Sequence, residues 1–375
     1  MTDYMHSFDL FEPASVEETA RLVDKYGKDA WIIAGGKDSF DWFKDRHKKP
    51  QAVIDISGLK QLHGIKDGGD YVSIGAVTTL TEIEDSKLLQ GNFPLLTAAA
   101  AKVASPQIRN AGTIGGNVLQ DTRCTYYRDG FPCYRAGGNT CYANTPTAMN
   151  REHALYDAIR CVAVTPSDTG PALVALEAEM VISRKGKIRT VPAEKFFIGP
   201  AVDITRMTVL EKGDILTEIR IPKKWSGAKH YFEKVADRET WDFALVNIAM
   251  VAKITGGKVS DVRIACGGVQ NTPRRLTTVE DLMKGEAANS EMETLAKRVA
   301  AQGAKALNYN HFKIPLMGNL AARAVRSLAG VDGVLSLYKK RLGSGNAIGD
   351  VLGSTLGSSR RSICLYCNTP SHQVA

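Results

Sequence analysis

Two short glycine-rich runs constrain the fold of this chain more than any other feature. The first, IIAGGKDS at residues 32–39, ends a buried strand pattern, and the second, GTIGGN, occupies residues 112–117. Glycines at a strand end let backbone amides surround a diphosphate without an intervening side chain. Neither run has the G-x-G-x-x-G or Walker A spacing, so the usual dinucleotide and nucleoside-triphosphate fingerprints are absent. Each glycine pair taken alone is also consistent with a tight turn.

The pattern of apolar residues predicts three regions that mix helices and strands, followed by a Gly/Ser-rich flexible tail from residue 342. A capping box of Ser15 and Glu18 precedes the first helix. The predicted elements are a helix at 14–27, strands at 30–36 and 51–57, a strand turning into a capped helix at 71–84, a helix at 93–105, a hairpin at 179–191, strands at 214–222, 229–237, 244–254 and 259–269, and helices at 278–285, 290–306 and 318–341.

Composition excludes several classes of protein. The 375 residues are 44% hydrophobic and 23% charged, which is typical of a globular chain with two or three domains. No apolar run is long enough to span a membrane, and residues 1–15 lack the regions of a secretory signal, so the sequence predicts a cytoplasmic protein without a membrane span. The net charge of +8 is dispersed. Its densest cluster, residues 44–50, favours a solvated loop over nucleic-acid binding.

The seven cysteines are the unusual part of the composition. An odd number without an export signal argues against a disulfide framework. Four of them follow a C-x8-C-x7-C-x19-C pattern within residues 124–161, and four thiolates on one segment suit a soft metal. Structural zinc remains an alternative, although tight C-x2-C pairs are missing there. Cys266 lies in an apolar strand pattern and is predicted to be a core residue, while Cys364 and Cys367 stand alone in the tail.

Five ordered segments carry a resemblance to a known family. They are IIAGGKDS, IGAVTTLTEIE, RNAGTIGGN, TPSDTGPALVAL and YFEKVADRETWDFALVNIAMVA. Together they resemble the FAD-binding medium subunit of the xanthine dehydrogenase and carbon monoxide dehydrogenase flavoprotein family. The resemblance implies an α+β fold with a two-part FAD-binding domain of the vanillyl-alcohol-oxidase (PCMH) type at residues 1–225. A CO-dehydrogenase-flavoprotein C-terminal α/β domain would follow at 226–330, with a helix and flexible tail at 331–375.

The resemblance also implies the residues that bind FAD. Lys234 would lie near the isoalloxazine ring as the catalytic residue and favour the anionic reduced flavin, while Asp168 would orient the ring or ribityl chain. Lys37 departs from the family, which commonly has a small hydroxyl residue at that position. The FAD-binding residues implied are Ile32, Ile33, Ala34, Gly35, Gly36, Lys37, Asp38, Ser39, Thr113, Gly115, Gly116, Asn117, Asp168, Leu216 and Lys234.

Residues 121–162 form an insertion relative to simple members of the family. The insertion is similar to the iron-sulfur insert in flavin subunits of periplasmic aldehyde oxidoreductases and, with different spacing, of 4-hydroxybenzoyl-CoA reductases. This resemblance implies a [4Fe-4S] cluster, toward which Gly137, Gly138 and Asn139 could turn backbone N–H groups. We expect the insert to draw most of its order from the metal, and FAD binding to be independent of it. The implied ligands are Cys124, Cys133, Cys141 and Cys161.

The resemblance finally implies partners and a role. The chain would belong to a complex with a small [2Fe-2S] subunit and a large molybdenum-cofactor subunit, and would pass electrons through FAD to an external acceptor. The aldehyde oxidoreductase type fits the cysteine insert, while hydroxybenzoyl-CoA reductase-like and xanthine dehydrogenase-like complexes are alternatives. A stand-alone flavin oxidase and a zinc-binding scaffold also remain open. Export of the folded complex on a partner's signal would make the location periplasmic.

Overall fold

Three sheets organise residues 5–329, the part of the chain that the computed structural model describes. The first sheet is parallel, with strand order β1-β3-β2, and helix α1 packs Val16 and Val23 against Ile54 of β3. The second half of the short strand β2 is the start of the first glycine run. The elements of this region are β1 Asp9–Phe11, α1 Val16–Tyr26, β2 Ala30–Ile33, α2 Ser39–Lys44 and β3 Ala52–Asp55.

Helix α1 begins as predicted, with one difference in its cap. Ser15 Oγ accepts the N–H of Glu18 at 3.1 Å. The Glu18 carboxylate accepts the N–H of Ala14 at 2.8 Å, so it reaches one residue beyond the predicted partner. The first contact satisfies an amide that a helix start leaves unpaired.

The second sheet has five antiparallel strands in the order β4-β5-β8-β6-β7. The predicted hairpin forms β6 and β7, and the predicted capped helix is α3, with a full capping box between Thr79 and Glu82. A core of apolar residues from the sheet and the helices packed on it extends to strands of the third sheet. The elements are β4 Ile65–Asp67, β5 Tyr71–Gly75, α3 Leu80–Asp85, α4 Lys87–Asn92, α5 Pro94–Ala101, α6 Pro106–Arg109, α7 Ile114–Leu119, α8 Thr125–Arg128, α9 Thr169–Ala175, β6 Glu179–Arg184, β7 Lys187–Pro192, α10 Ala193–Phe196 and β8 Ile215–Pro222.

The third sheet is antiparallel, with order β12-β11-β10-β9, and three helices complete its core. The predicted strands and the turn at 255–258 form as expected, and Cys266 is fully buried in this core. Helix α12 ends earlier than predicted, at Ala300. Helix α13 begins earlier, because Pro315 stands in its first turn, where no backbone donor is needed. The elements are β9 Lys229–Val235, β10 Val246–Thr255, β11 Lys258–Gly267, β12 Arg274–Arg275, α11 Thr277–Met283, α12 Ser290–Ala300 and α13 Lys313–Leu328.

Several predictions fall on residues 330–375, which lie outside the described part. They are the predicted continuation of the last helix to residue 341, the Gly/Ser-rich tail and the terminal pair Cys364 and Cys367. Within residues 5–329, no helix is long and apolar enough to cross a membrane.

Candidate functional site

A large cavity of about 580 Å³ lies where the two glycine runs meet. The end of β2, the start of α7 and the segment before α9 form its walls. Every residue predicted to bind FAD lines this cavity except Lys234. Those lining it are Ile32, Ile33, Ala34, Gly35, Gly36, Lys37, Asp38, Ser39, Thr113, Gly115, Gly116, Asn117, Asp168 and Leu216.

Close backbone contact holds the two glycine runs together. A Cβ at Gly35 would stand 1.8 Å from the carbonyl oxygen of Ala111, so only glycine fits where the first run meets the second. Gly36 has a φ of +68°, a conformation that residues with a Cβ rarely adopt. The bare backbone on the cavity wall, a cradle that a Cβ would distort, fits a ligand carrying a diphosphate.

Asn117 joins the second glycine run to the segment before α9. Its side-chain oxygen accepts hydrogen bonds from Ser167 Oγ at 2.7 Å and Thr169 Oγ1 at 2.6 Å. All three residues are buried. These hydrogen bonds hold Asp168, which lies between Ser167 and Thr169 in the sequence, on the cavity wall.

Asp168 is the centre of a buried hydrogen-bond network that joins the segment before α9 to strands β9 and β10. Its carboxylate accepts hydrogen bonds from Lys234 Nζ at 2.6 Å and Asn247 Nδ2 at 2.9 Å. Lys234 also donates to the carbonyl of Lys102 at 2.9 Å, and so lies against Asp168 and not on the cavity wall. Burial raises the pKa of Asp168, while Lys234 and Asn247 oppose this shift.

The sequence predictions missed several residues at this site. The predictions do not include Asn247. It is the polar residue within the buried and otherwise apolar first seven residues of β10, and this is the signal that could have identified it. Trp241 and Phe243 line the large cavity from the loop between β9 and β10. Arg123, which precedes the first cysteine of the insert, also lines it.

The four cysteines of the insert line one small cavity. Cys124, Cys133, Cys141 and Cys161 share it with Arg135 and Arg160, and all four are free thiols. Burial raises the pKa of the Cys124 thiol to about 12, and the other three thiols add to the shift. Neutral thiols in this position would become thiolates when a metal binds, so the donor set fits a thiophilic metal group.

Within residues 5–329, no three His, Cys, Asp or Glu side chains converge closely enough to hold a single metal ion. The described residues therefore show no preformed metal centre, and the iron-sulfur cluster and the zinc alternative both stay proposals.

The predicted role of the neighbouring glycine amides is wrong for two of them. The N–H of Gly137 donates to the carbonyl of Tyr134 at 3.2 Å, and that of Gly138 donates to the carbonyl of Cys133 at 2.8 Å. A short 3-10 turn at Tyr134–Ala136 uses both amides, so neither is available to a cluster sulfur.

The insert packs against both halves of the protein. Tyr127 is buried and meets the ring of Trp42 edge-on at 5.1 Å between centroids. Leu155 and Tyr156 belong to the core of the third sheet. These contacts contribute to the order of the insert, which the sequence predicted to come mainly from the metal. The sequence prediction missed them because isolated aromatic residues do not form apolar runs.

Asp38 ties the insert to the first glycine run. Its carboxylate accepts hydrogen bonds from Arg128 at 2.7 Å and from the N–H of Asp121 at 3.0 Å, and it pairs with Arg123 at 2.8 Å. Asp38 lines the large cavity, and its carboxylate is paired with two arginines of the insert.

A third cavity of about 220 Å³ lies beside the other two. It shares Thr122 and Cys124 with the cysteine cavity, and four lining residues, including Arg123 and Asp168, with the large cavity. His153 lines it and is buried, with no hydrogen-bond partner at either ring nitrogen among the described residues.

Comparison with known families identifies the two domains of the chain. Residues 6–224 match the family model described as the FAD binding domain in molybdopterin dehydrogenase, and residues 229–328 match the CO dehydrogenase flavoprotein C-terminal domain. The chain belongs to the molybdopterin dehydrogenase FAD-binding family. The predicted α+β fold, a two-part FAD-binding domain followed by a flavoprotein C-terminal domain, is thereby confirmed, and members of this family are oxidoreductase subunits. Neither family description names an iron-sulfur cluster.

Individual relatives in this family share about a third of the sequence. The carbon monoxide dehydrogenase medium chain of Hydrogenophaga pseudoflava is 32% identical over 80% of this chain and 86% of its own length. The aldehyde oxidoreductase FAD-binding subunit PaoB of Escherichia coli is 31% identical over 76% of this chain and 88% of its own. A solved carbon monoxide dehydrogenase from H. pseudoflava superimposes with a TM-score of 0.69 at 29% identity, covering 87% of this chain and 98% of that one.

Proposed function

We propose that this chain is the FAD and [4Fe-4S] electron-transfer subunit of an aldehyde oxidoreductase-like molybdenum enzyme. It would take electrons from [2Fe-2S] centres on a small subunit, which receive them from a large molybdenum subunit, and deliver them to an external acceptor. The observation that carries this proposal is the single cavity lined by all four insert cysteines, beside the FAD-binding cavity. The similarity to an aldehyde oxidoreductase FAD-binding subunit supports the choice of complex.

The residues that would hold FAD are those on the walls of the large cavity. The glycine runs would present backbone amides to the diphosphate, while Asp168, positioned by Lys234 and Asn247, would contact the flavin end. When bound, FAD accepts electrons one at a time from iron-sulfur centres and releases them as a pair. Lys234 balances the charge of Asp168, so it would act on the flavin through that carboxylate.

The insert would hold the cluster through Cys124, Cys133, Cys141 and Cys161. Arg135 and Arg160 line the same cavity and would offset the negative charge of four thiolates. The third cavity shares Cys124 with the cysteine cavity and Asp168 with the large cavity, which supports a location of the cluster site beside the FAD site. Adjacency of the two sites suits electron transfer between them.

Iron analysis of cysteine variants tests the proposal. Replacing any one of the four insert cysteines with Ser in the purified complex should remove about four irons per chain, because a missing thiolate leaves the cube labile. Cys266→Ser is the matched control, since that thiol is buried in the core of the third sheet, and its iron content should equal that of the wild type. Stoichiometric zinc with no iron in the chain itself would overturn the cluster.

Co-purification tests the assignment of partners. The insert exposes Phe131, Met149 and Ile159, apolar side chains that a partner subunit could cover. The chain should purify with a small iron-sulfur subunit and a large molybdenum subunit. A monomer that oxidises a substrate without partners would contradict the proposal and favour the stand-alone oxidase.

A further inference from the structure

Arg123 connects the insert, to which it belongs, with the large cavity. It directly precedes Cys124, yet it lines the large cavity with the glycine runs. Its side chain is only 24% exposed. The guanidinium lies 4.5 Å from the centre of the Phe243 ring, so it contacts the loop that precedes β10 as well.

The hydrogen bonds of Arg123 are incomplete. One terminal nitrogen pairs with Asp38 at 2.8 Å and lies 3.3 Å from Gln120 Oε1, and Asp41 lies 3.8 Å from the other. The Nε–H is buried and has no acceptor among the described residues. A buried donor left without an acceptor is costly, so such a group indicates a missing partner.

Protein carboxylates do not fully balance this arginine. Asp38 is shared, since Arg128 pairs with the same oxygen at 2.7 Å. Three other carboxylates that line the cavity already have cations of their own: Asp168 pairs with Lys234, Asp214 with Arg189 and Asp242 with Arg238. Asp41 also lines the cavity, but it is exposed and lies 3.8 Å from Arg123. Arg123 and Arg128 therefore share Asp38 as their close carboxylate.

The other basic residues on the cavity wall are less suited to a fixed contact. Lys37 and Lys44 are exposed, and a lysine presents a mobile point charge. Arginine presents a rigid fork of donors that matches phosphate oxygens. Arg123 is the basic side chain of this cavity that the surrounding protein holds in place.

We propose that Arg123 binds the diphosphate of FAD, so that the insert contributes directly to the flavin site. The inference rests on FAD binding in the large cavity and does not depend on which metal the cysteines hold. It replaces the sequence expectation that FAD binding is independent of the insert. Because Arg123 and Cys124 are consecutive, a change in the insert would reach the flavin site through one peptide bond.

Binding of FAD and riboflavin by variants of the full chain tests this inference. Arg123→Gln should weaken the affinity for oxidised FAD, measured by fluorescence titration of the flavin-free protein, by roughly 10- to 100-fold, the range for a charged hydrogen bond. Riboflavin, which lacks phosphate, should bind both proteins alike. Arg123→Lys, which keeps the charge, should recover part of the affinity.

Arg128→Gln is the matched control, since it removes the other partner of Asp38 from a residue that does not line the cavity. It should weaken FAD binding less than Arg123→Gln does. Equal losses in the two variants, a parallel loss of riboflavin binding, or wild-type FAD affinity in Arg123→Gln would each overturn the inference. If Arg123→Gln does not fold, Arg123→Lys is measured instead at high salt. If this variant then binds FAD and riboflavin as tightly as the wild type does, the inference is overturned. Failure of the wild-type chain to bind FAD would instead contradict the proposed function.

Discussion

Lys234 and Asp168 form an ion pair of 2.6 Å that is almost wholly buried, with their side chains 6% and 3% exposed. The pair joins strand β9 of the C-terminal domain to the segment before α9 in the FAD-binding domain. Asn247 of β10 donates to the other oxygen of Asp168 and accepts the N–H of Gly267 at 2.8 Å. The large cavity therefore has a wall whose position depends on contacts from both domains.

Removing one member of this pair should be strongly destabilising. Lys234→Met leaves the Asp168 carboxylate buried without its cation, and we expect the free energy of unfolding in urea to fall by about 3 to 5 kcal/mol. The double variant Lys234→Met with Asp168→Asn should recover much of this loss, because no buried charge remains. Lys185→Met, which breaks an exposed ion pair with Asp24, is the control and should change little. Equal effects of the two lysine variants would contradict the importance of the buried pair.

A methyl group at Gly35 should disrupt the contact between the glycine runs. In Gly35→Ala the new Cβ would lie 1.8 Å from the Ala111 carbonyl oxygen, so the loop must move. We expect a loss of about 1 to 3 kcal/mol in stability and purification with little bound FAD, measured by flavin absorbance. Gly58→Ala is the control, because nothing lies within 4 Å of its Cβ. Full FAD occupancy in Gly35→Ala would show that the cradle is not required.

Buried His153 should make the protein sensitive to mild acid. Burial, followed by the charge of Lys313, lowers the pKa of His153 to about 4. Above about pH 6.5 the imidazole is neutral in both the folded and the unfolded chain. Protonation of His153 therefore does not reduce the free energy of unfolding in this range. As the pH falls from 6.5 toward 4, only the unfolded chain takes up the proton, so stability is lost, by up to about 3 kcal/mol.

Urea unfolding at several pH values measures this effect. His153→Gln should lose less stability than the wild type between pH 6.5 and pH 4, whereas His311→Gln, at an exposed position, should follow the wild type. Burial lowers the pKa of Lys313 to about 7, so its own effect falls in the separate range between about pH 10 and pH 7. Parallel curves for the wild type and His153→Gln would contradict the prediction.

Arg135 should be important for the order of the insert. Its side chain is 3% exposed, and it pairs with Asp121 at 2.6 Å and donates to the carbonyl of Ile204 at 2.9 Å. Arg135→Met should lower stability by about 2 kcal/mol and increase cleavage within residues 121–162 by limited proteolysis. Arg184→Met, which breaks an exposed pair with Glu211, is the control and should leave the cleavage pattern unchanged.

The sequence alone determined the local elements and the family. Alternating and helical apolar patterns predicted the hairpin β6–β7, the strands β9 to β11 and the capped helix α3, because these features depend on neighbouring residues. The glycine runs and the TPSD segment identified nearly all of the cavity wall. The ends of α12 and α13 were predicted less well, since helix ends depend on packing as well as periodicity.

Only the tertiary structure decided which side chains meet. Asp38, which the family resemblance places at the diphosphate, also pairs with Arg128, ninety positions away. Asn247 donates a hydrogen bond to Asp168, 79 positions away, and Arg123 of the insert lines the large cavity. Such contacts join separate elements whose relative positions come from packing of the sheets and helices. No local pattern of residues predicts these contacts. Apolar periodicity indicates which face of a helix or strand is buried, but it does not indicate which other element packs against that face.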